Sequence, residues 1–173
     1  MGAFRRLLMY VFVCVSASIV LALLIDPSTD PIRVRQFFFY YVKEDPIRAA
    51  FGGWFSSCGN PCVVTYNKGG PIAIFEEAAH AIRNSDTLLI IDGACKSACA
   101  IAADQARDHV CITKKAAFSF HKAYIVGRIR FDPTQSPDID TWVKDRGGYP
   151  TGSFLTMLYE DAKRFWKTCP PQL

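Results

Sequence analysis

The feature that most constrains the fold is an alternation of apolar runs with helix-like segments in the middle of the chain. The apolar runs are too short for helices and are typical of strands buried on both faces; they cover residues 62–66, 87–91, 110–113 and 117–120. Residues 71–83 begin with proline and repeat apolar residues at helical spacing, and residues 97–107 are rich in small helix formers. This order predicts an α/β fold with a parallel sheet, in which glycine turns after the strands lie where ligands and catalytic groups collect.

The flanking segments are less regular. Residues 37–42 are aromatic and predict either a first strand or an aromatic belt at a membrane surface. Residues 49–61 carry glycines and a proline and predict a loop. After His121 we expect a loop, a short helix and a last helix, at residues 132–137, 139–145 and 151–166 respectively. No internal repeat is visible.

An uncharged apolar run covers residues 7–25 and has the length of a membrane-spanning helix. Arg5 and Arg6 precede it, and Asp26 follows it, which favours an orientation with the N-terminus inside and the rest of the chain outside. A cleaved signal peptide is the alternative, because small residues at 16–18 follow an apolar stretch. We therefore predict an anchor or signal sequence at residues 1–25, a linker and lead-in segment at 26–61, and an α/β domain at 62–173.

Charge excludes one class of function. The chain has 20 Lys and Arg against 16 Asp and Glu, a net charge of +4. Without Arg5 and Arg6 the balance is 18 − 16 = +2, so nucleic-acid binding receives no support. The predicted partners are a membrane, through residues 7–25, and a substrate.

Export changes the meaning of the cysteines. Six cysteines lie outside the apolar run, an even number in an oxidising compartment where disulfides persist; they are Cys58, Cys62, Cys95, Cys99, Cys111 and Cys169. Disulfides are expected, although six cysteines allow 15 pairings. A zinc site that includes His109 or His121 is the weaker alternative, because its cysteine spacing would be unusual. No metal and no cofactor is predicted.

Three short motifs carry the candidate chemistry: Asn67-Lys68-Gly69-Gly70, Gly93-Ala94-Cys95-Lys96-Ser97, and a histidine at 121. A serine at the first turn of a helix, directly after a strand, is presented at the edge of the sheet near the positive helix end. Acyl transfer also needs a base and amide groups aimed at the developing oxyanion. His121 is the candidate base, although Ser97 is equally a residue type that caps helices.

In order and spacing these motifs resemble the Clp protease proteolytic subunit and the wider ClpP/crotonase superfamily, over about residues 62–123. The sequence is similar to exported bacterial proteins of this superfamily with a Cys-x-Ser-Ala-Cys signature, here at residues 95–99. The resemblance implies a ClpP/crotonase-like ββα superhelix. It also implies roles for several residues: Ser97 as nucleophile, His121 as base, and Gly69 or Gly70 with Ala98 as oxyanion hole.

The resemblance also implies an acid on a late helix. Asp161 is nearest by position, with Glu160 beside it, and Asp138, Asp140 and Asp145 stay open. The chain departs from the family where Lys68 replaces a proline, and where cysteines flank Ser97. Lys96 as the base is disfavoured, because an immediate neighbour on a turn usually points elsewhere.

Two functions follow as expectations. The first is a serine hydrolase, a peptidase, anchored in the bacterial inner membrane and facing the periplasm, or released there after cleavage of a signal peptide. The second is a ClpP-like domain that has lost catalysis and binds a peptide or protein in the envelope. Association into oligomers is left open.

Overall fold

The computed structural model describes residues 45–52, 58–125 and 129–170. The apolar run at 7–25 and the aromatic run at 37–42 lie outside these residues. Within the described ranges, no helix combines the length and the apolar character needed to cross a membrane.

Helices and strands alternate through most of the described chain. The helices are α1 Pro46–Phe51, α2 Ile72–Arg83, α3 Ala98–Gln105, α4 Pro137–Lys144 and α5 Tyr159–Ala162, with a 3₁₀ turn at Arg107–His109. The strands are β1 Cys62–Asn67, β2 Leu89–Lys96, β3 Val110–Ile112, β4 Ala117–Phe120, β5 Ala123–Ile125, β6 Ile129–Phe131, β7 Leu155–Leu158 and β8 Lys167–Thr168. The predicted α/β class is confirmed, and α2 and α3 lie where the sequence predicts helices.

β2 is the central strand of the main sheet. β1 pairs with it in parallel along one side. On the other side β3 pairs with its first half, residues 89–91, and β4 pairs with its second half, residues 94–96. β8 extends the sheet beyond β3, and β7 pairs with β4 in the antiparallel sense. The four predicted strands therefore pair in parallel, as expected, but the sheet as a whole is mixed and curled, because the unpredicted strand β7 joins it in the antiparallel sense. β5 and β6 form a separate hairpin.

β2 is longer at its carboxyl end than predicted. The sequence predicts a turn from Asp92 to Lys96, whereas these residues continue the strand between β1 and β4. Gly93 is required by a close approach: a Cβ there would lie 1.9 Å from the carbonyl oxygen of Thr65. This contact lies at a register shift in β1 between Val64 and Tyr66. A glycine within a strand often marks such an approach of two backbones.

The predicted last helix, residues 151–166, is also corrected. Its first half is the edge strand β7, and only the four-residue α5 is α-helical. Pairing with β4 overrides the helical pattern, since Met157 is fully buried there and Thr156 Oγ1 lies 3.1 Å from Ser119 Oγ. The indole nitrogen of Trp166 then donates to the Ala103 carbonyl at 3.0 Å, which holds the segment after α5 against α3.

Helix α1 lies partly in the segment predicted as loop. Its cap follows ordinary rules, because the Asp45 carboxylate accepts a hydrogen bond from the Arg48 amide at 2.9 Å and proline occupies the first turn. Phe51 at its end packs edge-on against Phe75 of α2, with ring centroids 5.5 Å apart. The lead-in segment thus contributes to the core next to β1.

The six described cysteines form three disulfides, which confirms the prediction that disulfides are present. The pairs are Cys58–Cys62, Cys95–Cys99 and Cys111–Cys169. The first closes the loop before β1, the second spans the junction of β2 and α3, and the third joins β3 to the end of β8. The cysteines that the zinc alternative would use are all bonded to one another.

Candidate active site

Ser97 and His121 lie within hydrogen-bond distance, with 2.7 Å between Ser97 Oγ and His121 Nε2. Strand register brings them together. Lys96 of β2 is the partner of Ser119 of β4, and the Ser97 amide donates to the Ser119 carbonyl at 2.8 Å. Because the two strands are parallel neighbours, the residues that follow their carboxyl ends meet at one edge of the sheet.

Ser97 joins β2 to α3 in an unusual backbone conformation. Its φ of 56° and ψ of −123° place it in a region that side chains rarely adopt. Its carbonyl accepts from the Ala100 amide at 2.9 Å, yet its side chain makes no capping hydrogen bond to the helix. The hydroxyl is therefore directed to His121 instead of serving the helix end.

A glycine turn lies against this junction. A Cβ on Gly69 would come within 2.9 Å of the Ser97 Cβ and 2.5 Å of the Lys96 carbonyl, and its φ is 78°. Asn67 fixes the turn from both ends of its amide: Oδ1 accepts from the Gly69 amide at 2.8 Å, and Nδ2 donates to the Ala50 carbonyl at 2.9 Å. Only glycine combines that φ with so close an approach.

The predicted oxyanion donors in the turn, Gly69 and Gly70, differ in whether their N–H group is already hydrogen-bonded. The Gly69 N–H is already used by Asn67. Among the described residues, the N–H groups of Gly70 and Ala98 have no acceptor. Ala98 is the first residue of α3, where an N–H lacks an intrahelical partner and the helix end favours negative charge. Of the three predicted donors, Gly70 and Ala98 are therefore the two whose N–H groups are not engaged within the described residues.

The His121 ring is half-buried against an aromatic side chain. Phe154 packs edge-on against it, with ring centroids 4.8 Å apart. Burial lowers the pKa of His121 below its ordinary value of 6.5, and a hydrogen bond with the Lys122 backbone opposes that shift to a smaller extent. The Lys122 amide also donates to the Pro150 carbonyl at 3.0 Å, which fixes the backbone after His121. The lowered pKa favours the neutral imidazole, which is the form that accepts a proton.

The structure does not bring Asp161 to His121. Its carboxylate faces Arg146 and Arg164, at 3.6 and 3.9 Å. The other acids considered are also placed elsewhere: Glu160 pairs with Lys163, Asp138 with Arg107, and Asp140 with Lys144, while Asp145 is exposed. Within residues 45–52, 58–125 and 129–170, no carboxylate forms an ion pair with His121.

The Cys95–Cys99 disulfide spans Ser97. Both cysteines are fully buried, Cys95 at the end of β2 and Cys99 in the first turn of α3. The bridge therefore closes a loop of which Ser97 is the middle residue. It constrains the backbone on both sides of the residue whose conformation is least common.

Ser97 and His121 open into a cavity of about 760 Å³. Its wall is formed mostly by apolar and aromatic side chains, among them Ile72, Ala73, Ala123, Tyr124, Phe131 and Phe154. Phe154 and Tyr124 are not among the predicted site residues, because lone aromatics after irregular segments carry no pattern. The bridging role of Asn67 was not predicted either, although the residue lies within the recognised turn.

This arrangement contains the groups that acyl transfer requires. In that reaction a neutral imidazole accepts the hydroxyl proton, the hydroxyl oxygen attacks a carbonyl, and amide N–H groups stabilise the charge that develops on the carbonyl oxygen. Gly70 and Ser97 both line the cavity, and Ala98 follows Ser97 directly at the start of α3.

Comparison with known proteins finds no family model that matches the chain and no curated protein that matches it. Several solved structures are similar, among them two at low identity. One, described as an enzyme, is 15% identical, covers 77% of this chain and 83% of its own, with a TM-score of 0.39. The other, a peptidase from Plasmodium falciparum, is 13% identical with the same coverages and a TM-score of 0.37. Both TM-scores are below 0.5, so the function is inferred from the residues of this chain.

Proposed function

We propose that this chain is a serine hydrolase, and specifically a ClpP-like peptidase, with Ser97 as nucleophile and His121 as general base. The observation that carries the proposal is the 2.7 Å contact between Ser97 Oγ and His121 Nε2. A serine at a helix start normally caps the helix with its hydroxyl, whereas this one does not. The uncommon backbone conformation of Ser97 and the two amides at hand support the same function.

The reaction has two stages. Ser97 Oγ attacks the substrate carbonyl while its proton passes to His121 Nε2, and the amides of Gly70 and Ala98 donate to the resulting oxyanion. The carbon–nitrogen bond then breaks, and His121 gives its proton to the leaving amine, which leaves an acyl group on Ser97. Water attacks the acyl-enzyme with its proton taken by His121, and the acid product departs as Ser97 is reprotonated.

His121 works in this proposal without a carboxylate partner among the described residues. Burial lowers the pKa of the ring, a hydrogen bond with the Lys122 backbone opposes that shift, and Phe154 packs against the ring. Asp161, which the family resemblance suggests as the acid, forms its contacts with arginines instead. The proposed catalytic unit is therefore the pair Ser97 and His121.

The proposal extends to the cellular setting. Residues 7–25 anchor the chain in the bacterial inner membrane, and the ClpP/crotonase-like domain lies in the periplasm. The uncharged run and its flanking charges support the anchor, and three disulfides support an oxidising compartment. A phosphatase fused after residue 173, active only when exported, tests the orientation. Resistance of the chain to alkaline extraction of the membrane separates an anchor from a cleaved signal.

A fluorophosphonate probe tests the proposed chemistry, since it reacts with activated serines. We expect the oxidised full chain to be labelled at one site, identified as Ser97 by mass spectrometry, and Ser97→Ala to abolish labelling. Ser153→Ala is the matched control, because Ser153 is an exposed serine near Phe154 and keeps labelling at the wild-type rate. Absence of labelling in the wild type, or equal labelling of Ser97→Ala, would contradict the proposal.

The second function, a binding domain without catalysis, is favoured by one observation: no described carboxylate pairs with His121. Under that function the cavity still holds a peptide. An unlabelled wild-type chain that binds peptides as tightly as Ser97→Ala would support it.

A further inference from the structure

The cavity next to Ser97 is apolar along its walls and cationic at its rim. Among the described residues, Lys68 is the one lysine or arginine that lines it, and no Asp or Glu does so. The lysine is exposed, in the turn that packs against Ser97. Any charged group that enters this cavity is therefore met by an ammonium.

Lys68 has no ion-pair partner within the described residues, and other lysines show that this is not general. Lys115, Lys144 and Lys163 all lie within 3.1 Å of carboxylates. Lys122, directly after His121, lies 3.7 Å from Asp132. The positive charge in the turn is thus left without compensation by the part of the chain that the structure describes.

A second lysine adds to the positive charge beside the site. The Lys96 ammonium lies 5.4 Å from the centre of the Tyr66 ring and 5.7 Å from that of Phe154. No described carboxylate pairs with it. Tyr66 and Phe154 are 64% and 47% exposed, so this ammonium lies near the surface beside the aromatic wall of the cavity. Lys96 therefore adds a second cation beside Phe154, which lines the same cavity as Lys68.

We infer that the substrate is a peptide with a large apolar side chain next to an acidic one. The apolar side chain fills the cavity between Ile72, Tyr124 and Phe131, and the carboxylate pairs with Lys68. That this peptide is a substrate rests on the proposed function. The preference for an apolar side chain next to an acidic one is a property of binding alone. An ion pair next to apolar walls is less screened than one in open water.

The replacement of a proline by Lys68 has a consequence in these terms. At this position the family turn has a side chain without charge, whereas here the turn carries a lysine two residues before Gly70. Lys68 and Ser97 line the same cavity, so a carboxylate bound by Lys68 shares that cavity with the reacting carbonyl. Lys68 is accordingly a specificity residue of the site.

Binding of paired peptides tests the inference. Fluorescent peptides carry one phenylalanine in an alanine background, with glutamate at each of three positions on either side, and each has a twin with glutamine instead. Affinities are measured by fluorescence polarisation on the full chain with Ser97→Ala, which prevents turnover. We expect glutamate at one or more positions to bind about fivefold to tenfold more tightly than its twin.

The variants make the assignment specific. Lys68→Gln, in the Ser97→Ala background, reduces the ratio of the two affinities to about one. Lys114→Gln is the matched control, because Lys114 is an exposed lysine in the turn before β4 and its substitution removes the same charge. That control keeps the full ratio. Replacing the phenylalanine by glycine weakens both twins equally.

Two results overturn the inference: a ratio of one at every position in the unmodified lysine background, or a ratio that survives Lys68→Gln. Fluorophosphonate labelling of the wild type separates this failure from that of the proposed function. Labelling at Ser97 without any charge preference refutes only the inference about the substrate. A charge preference without labelling refutes the hydrolase and keeps the acidic apolar ligand.

Discussion

The Phe154 ring packs edge-on against the imidazole of His121, with 4.8 Å between the ring centres. Phe154 directly precedes β7, which pairs with β4 at whose end His121 lies. Phe154 is thus positioned by the antiparallel strand β7, which was not predicted from the sequence. It contributes to the burial that lowers the pKa of His121.

Phe154→Ala is expected to shift the pH profile of labelling. Burial disfavours the charged imidazolium, so removal of the ring raises the pKa of His121 towards 6.5. Because only neutral His121 accepts the proton, the acid limb of the labelling rate moves to higher pH. Phe131→Ala is the control, since Phe131 lines the same cavity without stacking on His121; its acid limb stays in place. Identical profiles for Phe154→Ala and wild type would refute this role.

We expect the disulfide that contributes more to stability to contribute less to the labelling rate. Cys95 and Cys99 are four residues apart, and Cys111 and Cys169 are 58 apart. By the loop-entropy account, alanine at both positions of the short loop costs about 2 kcal/mol of unfolding free energy, against about 4 kcal/mol for the long loop. Urea denaturation of the two double variants measures this difference.

Labelling rates are expected to show the reverse order. Loss of the short bridge frees the backbone around Ser97 and reduces the labelling rate at least about tenfold, because small displacements of a reacting atom are costly. Loss of the Cys111–Cys169 bridge leaves the rate within about twofold in the folded fraction. A larger rate effect from the long bridge would contradict the positioning role of Cys95–Cys99.

A buried carboxylate holds the irregular segment after the β5–β6 hairpin. Asp104 of α3 is 4% exposed and accepts from both the amide and the hydroxyl of Ser136, at 2.6 and 2.8 Å, and from Arg107. Asp104→Asn is expected to cost about 2 to 3 kcal/mol of unfolding free energy, because a buried acceptor for three donors becomes a poorer one. Asp138→Asn removes the exposed partner of Arg107 and costs less than about 1 kcal/mol. Equal midpoints in urea for the two variants would contradict this difference.

The middle of the fold was predictable because its signals are local. The strand at residue 62, the proline at the start of α2 and the small residues of α3 all follow from periodicity and capping within a dozen residues. The proximity of Ser97 and His121 also follows, since residues after the ends of neighbouring parallel strands meet at one edge. Both residues come together as expected, whereas the roles assigned to them stay a proposal.

The last third was not predictable in the same way. The sequence predicts one helix over residues 151–166, but pairing with the edge of β4, some 40 positions earlier in the sequence, makes residues 155–158 a strand instead. Because this segment is a strand followed by a short helix, Asp161 does not reach His121, and its carboxylate faces two arginines instead. The pairing of the cysteines likewise depends on which backbones are adjacent, and spacing alone left it open.

The split pairing of β2 has a consequence for tolerance to sequence change. β2 exchanges β3 for β4 along one side, so a single strand sets the position of Ser97 and, through backbone hydrogen bonds, that of His121. The distance between Ser97 Oγ and His121 Nε2 therefore depends mainly on the backbone, which most core substitutions leave unchanged. Apolar residues beneath the site can therefore be replaced by other apolar residues, provided that the strand register is kept. A slip of one residue in β2 would separate the pair altogether.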